Sequence, residues 1–320
     1  MPGNQVMHGK AFEYACLNEI YNFLNIDQSV SVIKDSSYYN AKNFFETLDS
    51  STRLRMELAA KAAIRVLIRL EPLLNNSLGN TPLYLQIQED AQGKKGDVRD
   101  ILAIRRQNNW EIGISAKNNH SAVKHSRLSG TIDFGKEWLG LKCSKEYFDE
   151  IKPLFDKLND FRQQGLKWSE LPDKEGDYYI PILEAFKEEL KRLSKQSVKP
   201  SIPSRLLSYL LGRNDFYKVI AHYEIETTEI QAFSLYGTLN RPAGNIQPEA
   251  HLPIVKLPNN FYNIQFKPDS NNTVLIICDE GWQISARIHN AKTEIEPSLK
   301  FDIQLIGVPT TLQRYHEPWM

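Results

Sequence analysis

The stretch of sequence that decides the fold is GDVRDILAIRRQNNWEIGISAK, residues 96 to 117. Two runs rich in Ile, Leu and Val, Asp97 to Arg105 and Trp110 to Lys117, flank a polar stretch that contains Asn108 and Asn109. Alternating apolar residues on both sides of an Asn-rich turn are typical of a β-hairpin. The sequence therefore predicts two antiparallel strands over this stretch.

The hairpin brings an aspartate and a lysine to one point. If Asn108 and Asn109 form a two-residue turn, Asp100 lies directly across from Lys117. Residues opposite each other project to the same face with Cβ atoms about 5 Å apart. Asp97 has the opposite parity, so it ranks behind Asp100 unless a bulge or a longer turn changes the register.

An Asp and a Lys that converge at the end of a sheet suit a magnesium-dependent phosphodiesterase. The carboxylate of Asp100 would hold the metal, and Lys117 would orient the attacking water and offset developing negative charge. The alternative is a half-exposed salt bridge with no catalytic role, which contributes little to stability.

Outside the hairpin, the pattern alternates between helical and strand periods. Apolar residues at helical spacing predict helices, and alternating residues predict strands. The predicted helices are residues 12–24, 52–74, 205–211 and several within 143–199, and the predicted strands are 83–88, 216–226, 230–236, 261–266, 273–278, 282–288 and 301–306.

Composition and charge exclude several classes of protein. The 320 residues carry 39 Lys+Arg and 39 Asp+Glu, so any affinity for nucleic acid must come from a local patch. No apolar run is long enough for a membrane span or a signal peptide, which predicts a cytoplasmic protein without membrane contact. Three widely spaced cysteines give no zinc or disulfide pattern, and no phosphate-binding glycine motif of ATP or NAD enzymes is present.

The segment after Lys117 supplies such a patch. In residues 91–130 basic side chains outnumber acidic ones by five, which favours contact with DNA phosphates. Lys124 and Arg127 are interpreted as one helical turn apart, able to grip neighbouring phosphates. A solvated basic face is the alternative. The candidate contacts of this segment are Asn118, Asn119, His120, Lys124, His125 and Arg127.

Several quoted segments together carry a resemblance. GKAFE, GDVRDILAIR, WEIGISAKNNHSAVKHSRLS, IDFGKEWLG and RIHNAKTEIEPSLKFDIQL are similar to type II restriction endonucleases of the HaeIII type. The resemblance implies an α/β, restriction-endonuclease-like PD-(D/E)xK fold with a mixed-sheet core, flanking helices, a helical insertion and a β-rich C-terminal region. The predicted segments are 1–130, nuclease core; 131–199, helical insertion and linker; 200–226, return of a core helix and strand; and 227–320, a β-rich region for DNA recognition.

The same resemblance implies a reaction and its partners. Relatives of this type cut double-stranded DNA at GGCC, with a blunt cut between G and C that leaves 5′-phosphates, and they need Mg²⁺. The host would need a cognate DNA methyltransferase that protects the site. A palindromic target favours a two-fold homodimer.

The chain departs from the family motif at Ser115, where an acidic residue is expected two residues before Lys117. Glu111 is six residues from Lys117, roughly 20 Å along a strand, and is therefore too far away to share a metal with Asp100 in place of the missing acid. By resemblance, Glu13 of the GKAFE segment could complete the metal site, and Glu137 is a second candidate. The predicted metal ligands are Asp100, Glu13, Asp97 and Glu137.

Reading a GGCC site requires donors to guanine and acceptors for cytosine. The candidates are Arg241, Arg287, His289 and Asn290. Two other functions remain open: a non-catalytic sequence-specific DNA-binding protein, which Ser115 would favour, and a structure-specific repair nuclease without base readout.

Overall fold

The computed structural model describes residues 4–75, 81–94, 96–118 and 122–320. The helices are α1 Asn4–Leu24, α2 Ser36–Thr47, α3 Ser50–Leu70, α4 Pro72–Asn75, α5 Asp90–Lys94, α6 Lys145–Gln163, α7 Ile180–Ser194 and α8 Ile202–Leu211. The strands are β1 Val30–Val32, β2 Leu83–Ile87, β3 Ile101–Arg105, β4 Trp110–Asn118, β5 Ala122–Leu128, β6 Phe216–His222, β7 Thr227–Phe233, β8 Phe261–Phe266, β9 Thr273–Cys278, β10 Gln283–His289, β11 Leu299–Gly307 and β12 Arg314–Pro318.

The chain divides into two units. The first comprises residues 1–121, 212–255 and 310–320, and the second comprises 122–211 and 256–309. The β-rich region predicted over 227–320 contributes to both units, and the predicted segment 200–226 supplies α8 to the second unit and β6 to the first.

The first unit is built on a mixed sheet. Seven of the described strands follow the order β1-β2-β3-β4-β6-β7-β12, with parallel pairs β1–β2 and β4–β6 and antiparallel pairs elsewhere. Helices α1, α2 and α3 belong to the core of this unit. The mixed α/β architecture with flanking helices that the sequence predicts is confirmed.

One face of β4 explains why α1 packs there. Ile112, Ile114 and Ala116 are buried in the same core as Phe12 and Ile20 of α1. The alternation of a strand then turns Ser115 and Lys117 to the opposite face. The apolar stripe that predicts the helix and the alternation that predicts the strand thus meet in one core.

The register of the β3–β4 hairpin differs from the prediction. Ile101 pairs with Ile114 and Arg105 pairs with Trp110, a shift of two residues. The turn is longer than two residues because a 3-10 turn occupies 106–108 and Asn109 has φ of 45°. A shift of two preserves the facing of every side chain.

The second unit contains an antiparallel sheet with the strand order β5-β11-β10-β9-β8. Helices α7 and α8 contact this sheet, and α6 packs against α7. The interpretation of Lys124 and Arg127 as one helical turn apart is wrong, because residues 122–128 form β5, which pairs with β11. The apolar residues of AVKHSRL stand only at its two ends, so the segment lacks the alternation that would predict a strand.

Candidate active site

Asp100 lies at an edge of the first unit's sheet, directly before β3 and beside the end of β4. Its Oδ2 accepts hydrogen bonds from the backbone N of Ala116 at 2.8 Å, from Lys117 Nζ at 3.0 Å and from Ser115 Oγ at 3.2 Å. Its own backbone N donates to the carbonyl of Ile114 at 2.8 Å. The structure therefore brings together the predicted Asp100 and Lys117, although the shifted register places Asp100 opposite Ser115.

Glu13 reaches the same site from α1. It is buried, and Lys10 Nζ lies 2.9 Å from its Oε2 and 2.6 Å from Asp90. Burial and the negative charge of Asp100 together raise the pKa of Glu13 to about 8, against the opposing charges of Lys10 and Lys117. The mutual influence of Glu13 and Asp100 places two carboxylates in one electrostatic site.

Asp97 is held by another partner. Arg99 donates to it through Nε at 2.8 Å and Nη2 at 2.7 Å, and through Nη1 to Glu111 at 2.6 Å. Burial alone would raise the pKa of Asp97, but the hydrogen bonds and charge of Arg99 bring it below its usual value. Asp97 is thus part of a bidentate ion pair beside the site.

The structure adds Lys218, a residue that the sequence analysis missed. Lys218 lies on β6 in register with Ser115 and is buried. Burial and the charge of Lys117 together lower its pKa to about 8, against the opposing charge of Glu229. The signal that could have found it is a lysine inside the apolar strand FYKVIAH.

These side chains fit a hard divalent cation that keeps part of its water shell. Mg²⁺ is commonly bound by one or two carboxylates together with waters and substrate phosphates. Asp100 and Glu13 offer two carboxylates at one edge. No cluster of three or more His, Cys, Asp or Glu suited to a metal occurs in the described part of the chain. Asp100 and Glu13 would supply part of a coordination sphere, which waters and a substrate phosphate would complete.

The structure does not bring all predicted site residues to this edge. Glu137 belongs to the second unit, in the turn Gly135–Leu139. Asn118 is the last residue of β4, and Asn119 and His120 lie outside the described residues. Lys124 and His125 have their backbone in β5, and Arg127 donates to Ser298 Oγ at 2.6 Å.

The candidate base-reading residues lie in both units. In the first, Arg241 lines a pocket of about 240 Å³ together with Arg99 and Arg213. In the second, Arg287 Nη2 is 3.3 Å from Asp302, His289 is 3.9 Å from the same carboxylate, and Asn290 accepts from Tyr179 at 3.2 Å. Their contact with DNA stays a prediction.

No helix in the described ranges is long and apolar enough to cross a membrane. No solved structure shows a significant match to the chain.

Two comparisons with known sequences identify the family of this chain. The profile of the HaeIII restriction endonuclease family matches residues 9–309. The Type II restriction enzyme HaeIII of Haemophilus aegyptius is 44% identical over 312 residues, which cover 98% of this chain and 97% of the relative. The resemblance carried by the hairpin and its flanking segments is confirmed: this chain belongs to the HaeIII restriction endonuclease family.

Proposed function

We propose that this restriction endonuclease cuts both strands of double-stranded DNA at GGCC, with a blunt cut between G and C that leaves 5′-phosphates. The name of its relative, a type II restriction enzyme, supports site-specific cleavage. The observation that carries the chemistry is the cluster at Asp100, whose Oδ2 accepts from Ala116 N, Lys117 Nζ and Ser115 Oγ.

In this proposal the fold is of the PD-(D/E)xK type, and Asp100 and Glu13 hold Mg²⁺. The ion would polarise the scissile phosphate and supply a nucleophile at neutral pH. A cation between Asp100 and Glu13 would relieve the repulsion that raises the pKa of Glu13. Ser115 contributes its hydroxyl, which helps to hold the carboxylate of Asp100 in place.

Lys117 orients the attacking water and offsets charge that develops on the phosphate. Its Nζ is 3.0 Å from Asp100 and about a quarter of its side chain is exposed, so the ammonium group is both anchored and accessible. We assign Asp97 to positioning Arg99, because both of its oxygens already accept from that guanidinium. Glu137 stays an untested second candidate for the metal.

The partners follow from the reaction. A host needs a cognate DNA methyltransferase that protects its own GGCC sites, and a palindromic target favours a homodimer with two-fold symmetry. In the second unit, Arg127, Arg287, His289 and Asn290 are proposed DNA contacts, as are Lys124 and His125 from the sequence alone.

The test is digestion of unmethylated phage DNA by purified protein, with Mg²⁺ or with a chelator. Wild type should give discrete fragments with ends at GGCC, and only with Mg²⁺. Asp100→Asn, Glu13→Gln and Lys117→Met should each lose at least 100-fold in rate while remaining folded. Asp27→Asn, which changes an exposed aspartate of the same unit, is the matched control and should cut normally.

Other results would identify the alternatives. Binding of DNA at one sequence without cleavage under any divalent metal would indicate a non-catalytic binding protein. Cleavage of branched or flapped DNA without discrete fragments from plain duplex would indicate a structure-specific nuclease.

A further inference from the structure

A second pocket opens at the same edge of the sheet as Asp100. It has a volume of about 240 Å³ and belongs entirely to the first unit. Asn118 of its lining directly follows Lys117, and Tyr223 directly follows β6. The lining residues are His8, Thr52, Arg55, Met56, Asn118 and Tyr223.

Three side chains of this lining have buried polar atoms without a partner. Asn118 Oδ1, Tyr223 OH and Arg55 Nε make no hydrogen bond to any residue that the structure describes. Each such atom costs about 1–3 kcal/mol if nothing satisfies it, so three in one pocket require an explanation. A polar ligand that fills the pocket would provide their missing partners.

The charge of the pocket selects an anion. Among the residues that the structure describes, no Asp or Glu lines it. Arg55 has no carboxylate partner within the described ranges; its Nη2 donates to the carbonyl of Tyr223 at 2.5 Å, and its guanidinium lies 4.9 Å from the Tyr223 ring and 5.9 Å from that of Trp319. These contacts fix the guanidinium without neutralising it.

The remaining groups suit phosphate oxygens. Arg55 Nε and the Tyr223 hydroxyl are donors, and Asn118 can present its NH₂ at the position of Oδ1 by a half-turn of its amide. Guanidinium groups with additional neutral donors are common partners of phosphate in protein–DNA contacts.

We propose that this pocket, the Arg55 pocket, binds a phosphodiester of the DNA backbone next to the scissile one. The proposal rests on the proposed function, which places the scissile phosphate at Asp100 and Lys117. Consecutive Cα atoms are 3.8 Å apart, and phosphates of one strand follow each other every 3.4 Å along the duplex axis. Asn118 directly follows Lys117 at the end of β4, with its side chain on the opposite face, and the proposal places a phosphate one or two steps from the scissile one at the mouth of the pocket.

The experiment measures binding in a chelator, so that no DNA is cut. A set of duplexes that contain GGCC is used, and each duplex has one phosphate near the cleavage point replaced by a neutral methylphosphonate. For wild type, one position on one side should cost roughly 10- to 100-fold in affinity. Arg55→Gln should bind unmodified DNA more weakly than wild type by the same factor. A methylphosphonate at that position should then cause no further loss of affinity in this variant.

Salt dependence and sequence dependence separate a phosphate contact from base reading. Arg55→Gln should lower the slope of log affinity against log salt by about 0.9, equally for GGCC and for unrelated duplexes. Arg53→Gln is the matched control: it removes the same charge from the same helix, but Arg53 lies about 200° around the helix and does not line the pocket. It should bind as wild type.

Two further variants guard against misfolding. Tyr223→Phe removes only the hydroxyl and should weaken binding several-fold at the same phosphate, and Arg55→Lys should recover part of the salt slope. Equal methylphosphonate profiles for wild type and Arg55→Gln would overturn the inference, as would binding of inorganic phosphate with no effect of Arg55→Gln on DNA. If wild type cuts GGCC, those results leave the proposed function intact. If wild type does not bind DNA, the proposed function and the role of the Arg55 pocket both fail.

Discussion

Gly113 should tolerate no side chain, for a reason specific to this site. A Cβ built on Gly113 would lie 1.9 Å from Cδ, 2.5 Å from Cγ and 2.9 Å from Cβ of Arg99. These atoms are close to the Arg99 backbone and cannot simply swing aside. Gly113→Ala therefore forces Arg99 away from Asp97 and Glu111.

The magnitude follows from the contacts that Arg99 would lose. Its two hydrogen bonds to Asp97 join side chains that are 9% and 12% exposed, and they contribute about 3 kcal/mol together. The bond to Glu111, whose side chain is 40% exposed, adds at most about 0.5 kcal/mol. Gly113→Ala should lower the free energy of unfolding by about 3 kcal/mol and slow cleavage, because Arg99 directly precedes Asp100.

Urea denaturation of four proteins tests this reasoning: wild type, Gly113→Ala, Arg99→Gly and the double variant. In the Arg99→Gly background all three clashing side-chain atoms are absent, so Gly113→Ala should be neutral or should stabilise by up to about 1 kcal/mol. Gly9→Ala, at a helical glycine with no atom within 4 Å of the added Cβ, is the control and should also stabilise slightly. An equal cost of Gly113→Ala in both backgrounds would refute the clash.

Three further outcomes are expected. Burial raises the pKa of Glu71 from 4.5 to about 7, so this residue should contribute about 3 kcal/mol of stability that is lost as pH rises from 4.5 through 7. In urea melts measured from pH 5 to 8, Glu71→Gln should therefore lose less stability with rising pH than wild type does. Arg105→Met should lower the free energy of unfolding by about 3–5 kcal/mol, because the buried guanidinium donates hydrogen bonds to the carbonyls of residues 73, 74 and 81. Arg106→Met, at the neighbouring exposed arginine, is the control and should lower it by less than about 1 kcal/mol in the same urea melts. Ser115→Ala removes one 3.2 Å hydrogen bond to Asp100 and should slow cleavage about tenfold or less; a loss as large as that of Asp100→Asn would mean that the hydroxyl has a direct role.

The sequence predicts that Asp100 and Lys117 meet, but it does not predict the register of the hairpin. The alternation of the hairpin fixes which residues share a face, and this survives a register shift of two. The length of the turn depends on a 3-10 turn and on a positive φ at Asn109. The only sequence feature that points to either is the asparagine itself, which tolerates a positive φ but does not fix the length of the turn. Asp100 and Lys117 still meet because the lysine side chain is long enough to span the shift.

Interactions between distant segments could not be predicted from local pattern. Arg105 reads as the last residue of an amphipathic strand, yet it is fully buried and donates to carbonyls from residues more than 20 positions away. Lys218 likewise lies in an apolar run, and only the pairing of β6 with β4 places it beside Ser115. Both depend on strand order, which periodicity does not contain.

The absence of an acid at position 115 is consistent with the charges around it. Ser115 is buried, and its Oγ is 3.2 Å from Asp100. A carboxylate there would add a third negative charge to a site in which Glu13 already has its pKa raised to about 8. Because α1 brings Glu13 to the same edge, a metal held by Asp100 can take its second carboxylate from the helix, and a neutral donor at Ser115 avoids further repulsion. In the proposed site the number of carboxylates would stay at two, with one of them supplied by the helix and not by the strand.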